Sequence, residues 1–234
     1  MTMLAVAAAL TERAVSRLTH FTSSRNLPRI IQAGGILPTA ELVRQGVTHV
    51  VTDPERFDGR LEHVCCNVEF PNMYYFHKAN TRDEYVNYSD WVVFLLAPEV
   101  AARPEVLFSP VNAALGSGRY LASGLEAYLA QYADSVNGRL RATRHNRASP
   151  TDVQAEVLVP GVIPLSEVRG IVVQNEETLR REHARLDQLG IDDGDLTWYV
   201  APDMFKKYAV TDAVRGTRTI ELLGPYRRED GLVR

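Results

Sequence analysis

The sequence predicts an α+β domain, and three observations carry that prediction. Strand-like apolar runs are short and fall at irregular spacing. The helical stretches between them do not alternate with strands as a doubly wound parallel sheet requires. Neither Gly-x-Gly-x-x-Gly nor a Walker-type loop is present, and Gly116-Ser117-Gly118 reads as a turn. With 234 residues, no internal repeat and no dividing linker, the chain is expected to form a single domain over 1–234.

The elements follow in order. Residues 1–17 read as a helix, and "RLTHFT" (17–22) as a short strand. "SSRNLPRIIQAGG" reads as a helix with Ser23 or Ser24 as N-cap and Gly34–Gly35 as the stop. "THVVTD" is either a short strand or part of a mobile loop. "RLEHVCCNVEF" (60–70) alternates and ends at Pro71. "DWVVFLLAP" (90–98) is a continuous apolar run of the length of a central strand buried on both faces. "VLFSP" (106–110) is another short strand. "GLEAYLAQYADSV" (124–136) is helical, with Leu125, Tyr128, Leu129 and Tyr132 on one face. The stretch 137–152 carries four arginines and one histidine without an apolar period, so it reads as a polar loop. "VQAEVLVPG" (153–161) reads as a strand that sets Gln154 and Glu156 on one face. "EVRGIVVQN" (167–175) is a strand, and "EETLRREHARLDQLG" a charged helix closed by Gly190. "TWYVAPDMF" (197–205) is a late strand and turn. The polar tail from about 211 can pair at a sheet edge.

Composition narrows the class. A net charge of −3 gives no global nucleic-acid signal, so any basic surface must be local. The two cysteines, Cys65 and Cys66, are neighbours and cannot readily bridge each other. They read as small hydrophobes in a reducing compartment and lack the spacing of a metal site. "MLAVAAAL" is too short to cross a bilayer and lacks a basic region before it, so it reads as a first helix or a partly ordered end. A cytoplasmic protein with no membrane partner and no metal is expected.

Three features could carry chemistry. His20 and Thr22 share a face at the end of a strand. Arg60 opens the strand that runs into the cysteines. Gln154 and Glu156 follow the Arg-rich loop. Taken singly each has a bland reading: a surface histidine, a solvated arginine, an edge carboxylate. Together, a strand His-x-Thr, then an arginine, then Gln-x-Glu after a long loop, resemble the ADP-ribosyltransferase pattern. The words "LTHFTSSRNLPRIIQAGGIL" and "VQAEVLVPG" are similar to one family in particular, the DarT DNA ADP-ribosyltransferase toxins of toxin–antitoxin systems. The resemblance covers about 17–205. "FPNMYYF", "SDWVVFLLAP" and "LFSPVNAA" resemble a branch often linked to a NADAR-type antitoxin.

The resemblance implies a split β-sandwich of two small sheets with flanking helices, parted by an NAD cleft. It implies that His20, Thr22 and Asn26 bind NAD, and that Glu156 is the catalytic glutamate. Arg60 is implied as the catalytic arginine, with Arg56 the alternative. Glu156 would stabilise positive charge on the ribose as nicotinamide departs. Nicotinamide leaves neutral, so the two carboxylates of a glycosidase are not required. The implied acceptor is a base of single-stranded DNA, thymine in better-known members and guanine in the branch these words resemble. Gln154 would orient it. Arg139, Arg141, Arg144, His145 and Arg147 could meet phosphates, and Tyr74, Tyr75 and Phe76 could stack bases, at least one of the three being core instead. An antitoxin of macrodomain or NADAR type is the implied protein partner. Ser109 and Val111 stand where many members carry Cys and Arg around a proline, which puts a role for that arginine in doubt. RNA or protein remains an alternative acceptor for the same fold, and a non-catalytic nucleotide-binding domain is the competing class.

Overall fold

The computed structural model describes residues 2–53, 55–81 and 90–228. The tail beyond 228 lies outside the described residues. Helix α1 (Thr2–Glu12) is shorter than the helix expected over 1–17: Ala14 adopts φ 57°, in the left-handed region, and the chain leaves the helix there. Val6, Ala9 and Leu10 are buried in the main core, so the apolar start is a docked helix. Strand β1 (Leu18–Ser23) follows. The Ser23 hydroxyl accepts from the Arg25 N–H and caps a 3-10 turn at Ser24–Asn26, which leads into α2 (Leu27–Gln32) with a proline in its first turn. Gly34, at φ +71°, stops it.

After β2 (Gly35–Ile36) and α3 (Thr39–Arg44), residues 47–53 form a loop, not a strand. Strand β3 (His63–Val68) is followed by α4 (Met73–Asn80), capped by the Asn72 side chain, and by β4 (Trp91–Leu96). Then come β5 (Leu107–Ser109), β6 (Ala122–Ser123) and α5 (Gly124–Ala130). Tyr128 and Tyr132 are buried as the helical face required, but Leu129 is 40% exposed. The Arg-rich stretch is not wholly loop: β7 (Ser135–Val136) and β8 (Arg139–Leu140) make a small hairpin. Strand β9 (Glu156–Pro160) starts three residues later than expected, because 151–154 form a turn. The rest is β10 (Ile163–Pro164), β11 (Val168–Val173), α6 (Glu176–Gln188), β12 (Trp198–Val200), α7 (Lys207–Val214) and β13 (Leu223–Tyr226). Helix α7 begins before the polar tail expected from about 211 and runs into it. Its Ala209, Val210, Ala213 and Val214 are buried at helical spacing. β13 pairs at the sheet edge, as the tail was expected to.

The fold is α+β, but the two small sheets are joined into one of nine strands, in the order β13-β12-β11-β4-β1-β3-β9-β5-β6. The join is narrow. β1 pairs with β4 along all six residues, yet with β3 only at Leu18↔Val68 and Thr19↔Asn67. Beyond Thr19 the two strands part, and a cleft opens in the sheet. Strand β4 is buried on both faces, as its unbroken apolar run predicted. Val92, Phe94 and Leu96 enter the core shared with α1, α2, α5 and α6. Trp91, Val93 and Leu95 enter a second core beneath α4 and α7.

Candidate active site

Where β1 and β3 part, their unpaired edges and adjoining side chains border a cavity of about 390 Å³. That is within the ordinary range for a small-molecule site. His20, Thr22 and Asn26 line one wall; Arg56 and Asp58 another; Tyr75, Asn112 and Glu156 complete it. His20 bridges the split through Nδ1–H, which donates to the Cys65 carbonyl at 2.8 Å. A carbonyl can only accept, so Nδ1 carries the proton. Burial pushes the imidazole below its ordinary pKa, and the ring is neutral with Nε2 an acceptor. Nε2 has no protein partner among the described residues.

Thr22 is buried and accepts from the Asn26 Nδ2 at 2.9 Å. Asn26 also donates to the Val50 carbonyl at 2.9 Å and accepts from the Val50 N–H at 2.8 Å. Both of its N–H donors are therefore spent within the protein. Asn26, which lines the cavity, thus ties the 47–53 loop that also lines it to Thr22 of β1.

Glu156 opens β9 at the edge of the split. Its Oε2 accepts from the Ala113 N–H at 2.8 Å, and its Oε1 from Asn112 Nδ2 at 3.3 Å and Asn72 Nδ2 at 3.4 Å. Its main-chain carbonyl accepts from Gln131, which also donates to the Ser109 carbonyl, each at 2.9 Å. The carboxylate is thus held by three neutral donors, borders the cavity, and has no ion-pair partner among the described residues. Burial pushes its pKa up to about 7; the Ala113 and Asn72 donors pull the other way, and Asp58 and Asp53 add to the rise. Asn72, Asn112 and Gln131 were not singled out in the sequence. Asn72 was legible only as a helix N-cap after Pro71; that its amide also reaches Glu156 is a tertiary fact.

The structure separates the two candidate arginines. Arg60 is exposed and borders a different depression, with Glu41, Arg44 and Glu105. Arg56 lines the cavity. Its Nε–H donates to both oxygens of buried Asp58, at 3.2 and 3.1 Å, its Nη1 to Thr39 Oγ1 at 3.3 Å, and its Nη2 to the Arg60 and His63 carbonyls. One Nη1–H has no partner among the described residues. Its left-handed backbone, φ 37°, aims the side chain inward while Arg60 points away. Arg56 and not Arg60 therefore belongs to the cleft.

The expected acceptor residues divide. Tyr75 lines the cavity, and its hydroxyl donates to the Thr52 carbonyl at 3.4 Å. Phe76 is buried against Trp91 and Phe205 and is core. Gln154 sits in the turn before β9, its N–H bonded to Asp152 Oδ1 at 2.9 Å, so it does not share a strand face with Glu156 and does not line the cavity. His145 spends Nε2–H on the Pro150 carbonyl at 2.8 Å. Arg141 braces its own loop through the Ser149 and Asn146 carbonyls at 2.9 and 3.0 Å. Arg144 and Arg147 are exposed, outside the cavity. Cys65 lines the cavity and Cys66 is in the core, and burial raises both thiols far above the range in which they ionise. Among the described residues no group of three or more His, Cys, Asp or Glu is placed to hold a metal ion, and no helix is long and apolar enough to cross a membrane.

Comparison with known proteins gives the same pattern a family. A sequence profile described as "ssDNA thymidine ADP-ribosyltransferase, DarT" matches residues 19–206. No protein of curated function matches. Among solved structures, Thermus sp. 2.9 DarT in complex with NAD+ matches with TM-score 0.55 and 14% identity, over 82% of this chain and 98% of that one. The same protein with ADP-ribosylated ssDNA matches with TM-score 0.51 and 16% identity, over 82% and 97%. Thermosipho africanus DarTG in complex with ADP-ribose matches with TM-score 0.54 and 16% identity, over 81% of this chain and 51% of that one. This chain therefore spans about half the length of the DarTG chain. At these identities the likeness is one of fold.

Proposed function

This chain belongs to the DarT family of ssDNA ADP-ribosyltransferases, and from that membership we propose that its cleft binds NAD and transfers ADP-ribose to a thymine or guanine base of single-stranded DNA, releasing nicotinamide. The observation that carries the reading is the state of Glu156. It is a half-buried carboxylate on the cavity wall, held by three neutral donors and matched by no cation among the described residues. A charge kept in that condition is costly to the fold unless a ligand supplies the positive partner. NAD, when bound, supplies a ribose that becomes cationic as nicotinamide leaves.

Each side chain then has a task. His20 presents Nε2 as an acceptor to a ribose hydroxyl, and Thr22 sits beside it. Asn26 acts by holding the 47–53 loop over the ligand. Asn72, Asn112 and the Ala113 N–H keep the Glu156 carboxylate aimed, which is pre-organisation in the electrostatic sense. Arg56, fixed by Asp58 and two carbonyls, orients the acceptor base and neutralises charge as its proton is lost. Tyr75 offers a stacking face for the base, and Arg144 and Arg147 offer charge to the phosphates outside the cavity. The complexes of Thermus sp. 2.9 DarT with NAD+ and with ADP-ribosylated ssDNA support NAD and single-stranded DNA as the two ligands. The match to a DarTG protein supports an antitoxin partner, and we place the toxin in the cytoplasm, where NAD and replicating DNA are available.

The test is a transfer assay with NAD and four oligonucleotides, each lacking one base, read by mass for an added ADP-ribose. An adduct that disappears with one omitted base and with Glu156→Ala establishes the reaction and names the base. Consumption of NAD without any DNA adduct would move the acceptor to RNA or protein.

A further inference from the structure

Outside the cleft, two cations crowd one tyrosine. The Lys207 ammonium lies 3.9 Å from the centroid of the Tyr74 ring, and the Arg139 guanidinium 5.5 Å from it. Arg139 is also paired, at 3.4 Å, with Asp152, which is buried and shares that same oxygen with the Gln154 N–H. Lys207 has no carboxylate partner among the described residues. Asp203, four residues before it, is taken by Lys206 and Arg218. The surface is continuous with the Arg-rich loop. The Asn146 N–H donates to the Val214 carbonyl at the end of α7, and the Arg144 carbonyl packs against Gly216. Arg144, Arg147 and Arg215 are exposed along this seam, as is Tyr208. On a chain of net charge −3 this is a local excess of positive charge built on purpose-held side chains.

Its position is informative. Tyr74 is two residues beyond Asn72 in the first turn of α4, and the Asn72 amide touches Glu156. Asp152 is four residues before Glu156. The cation pair is therefore anchored at both ends to elements that carry the cleft, yet it lines none of it. A partner there would be anionic and would extend outward from the acceptor. Lys207 also lies one residue past the stretch that matches the DarT profile, so the family resemblance does not itself supply it.

We propose that Lys207 and Arg139, packed on Tyr74, bind a phosphodiester of single-stranded DNA next to the acceptor nucleotide, and that α7 is part of the DNA-binding face of this protein. The proposal rests on the reading of the acceptor as single-stranded DNA. Arg139 has its carboxylate, so Lys207 carries the uncompensated charge and the ring fixes where that charge sits.

The test compares initial rates of transfer to an oligonucleotide across a range of sodium chloride concentrations, for the wild type and for Lys207→Ala, Lys207→Arg and Lys206→Ala, each checked for an unchanged melting temperature. Loss of one phosphate contact to a single strand flattens the dependence of log(kcat/KM) on log[salt] by about 0.7. Lys207→Ala is expected to show that flattening with a several-fold higher KM for the oligonucleotide, and Lys207→Arg to restore both. Lys206→Ala, whose ammonium is held by Asp203 at 3.1 Å, is expected to leave the slope alone. An unchanged slope and KM in folded Lys207→Ala overturns the assignment. So does an equal flattening in Lys206→Ala, which would mean diffuse surface charge. Failure of the underlying reading looks different: the wild type itself would modify no oligonucleotide.

Discussion

Replacing Glu156 by glutamine should change the pH dependence of folding stability, and the size of the change follows from its surroundings. In the folded protein, burial raises its carboxyl to about 7, against 4.5 for the ordinary group. Between those two values the folded state binds a proton that the unfolded chain has released. Stability therefore falls as pH rises: the contribution is full below 4.5, shrinks through the interval, and is gone above about 7. At ~1.4 kcal/mol per pH unit, the whole interval is worth about 3 kcal/mol. For a chain of this size that is a shift in melting temperature of about 6–12 °C. Glutamine does not titrate, so the Glu156→Gln variant should lack this slope. It will carry a fixed offset of its own, because its amide must face one of the three donors that now point at the carboxylate. The assay is thermal unfolding of both proteins from pH 4.5 to 8.5, reading the difference between them so that other titrating groups cancel. A difference that stays constant across the range would refute the reasoning, since it would mean that Glu156 ionises like a solvated carboxylate. The same group should govern kcat/KM for NAD, rising about tenfold per pH unit below about 7 and levelling above it.

Four further outcomes are expected. Arg60→Ala should change stability by less than about 0.5 kcal/mol and leave transfer intact. Arg56→Ala strands buried Asp58, should cost about 3–5 kcal/mol, and should abolish transfer even where it folds; chemical unfolding and the oligonucleotide assay check both. Asn26→Ala removes the two bonds that hold Val50 and should raise KM for NAD more than it lowers kcat, with a loss of about 1–3 kcal/mol measurable in urea. Gly216→Ala places a Cβ 1.7 Å from the Arg144 carbonyl at a φ of +73°. It should lower the melting temperature by several degrees and weaken oligonucleotide binding, because the basic loop must move off α7.

Much of this protein is written locally. The run Trp91–Leu96 has no polar position, and a strand with no wet face can only be central. The Ser23 cap, the proline in the first turn of α2 and Gly34 fix that helix within a few residues, because capping is a matter of nearest neighbours. His20, Thr22 and Glu156 were legible because each occupies a strand position whose side chain direction is set by period two, next to words that resemble one family. Gln154 was misread for the same reason. A period of two carried back from Glu156 runs into the turn at 151–154, which breaks it.

What only the tertiary structure decided is everything that depends on two distant segments meeting. Arg56 and Arg60 are four residues apart in one irregular loop, and no local rule says which faces inward; a left-handed residue and a buried carboxylate at Asp58 do. That the sheet is continuous, and yet opens because β1 and β3 pair over only two residues, follows from register and not from composition. The cage around Glu156 joins Asn72, Asn112 and Ala113, residues 84 and about 40 positions away. Sequence names the groups that can do chemistry. Folding chooses which of them lose water together, and that shared loss of solvent is what turns an ordinary glutamate into one that takes up a proton near neutral pH.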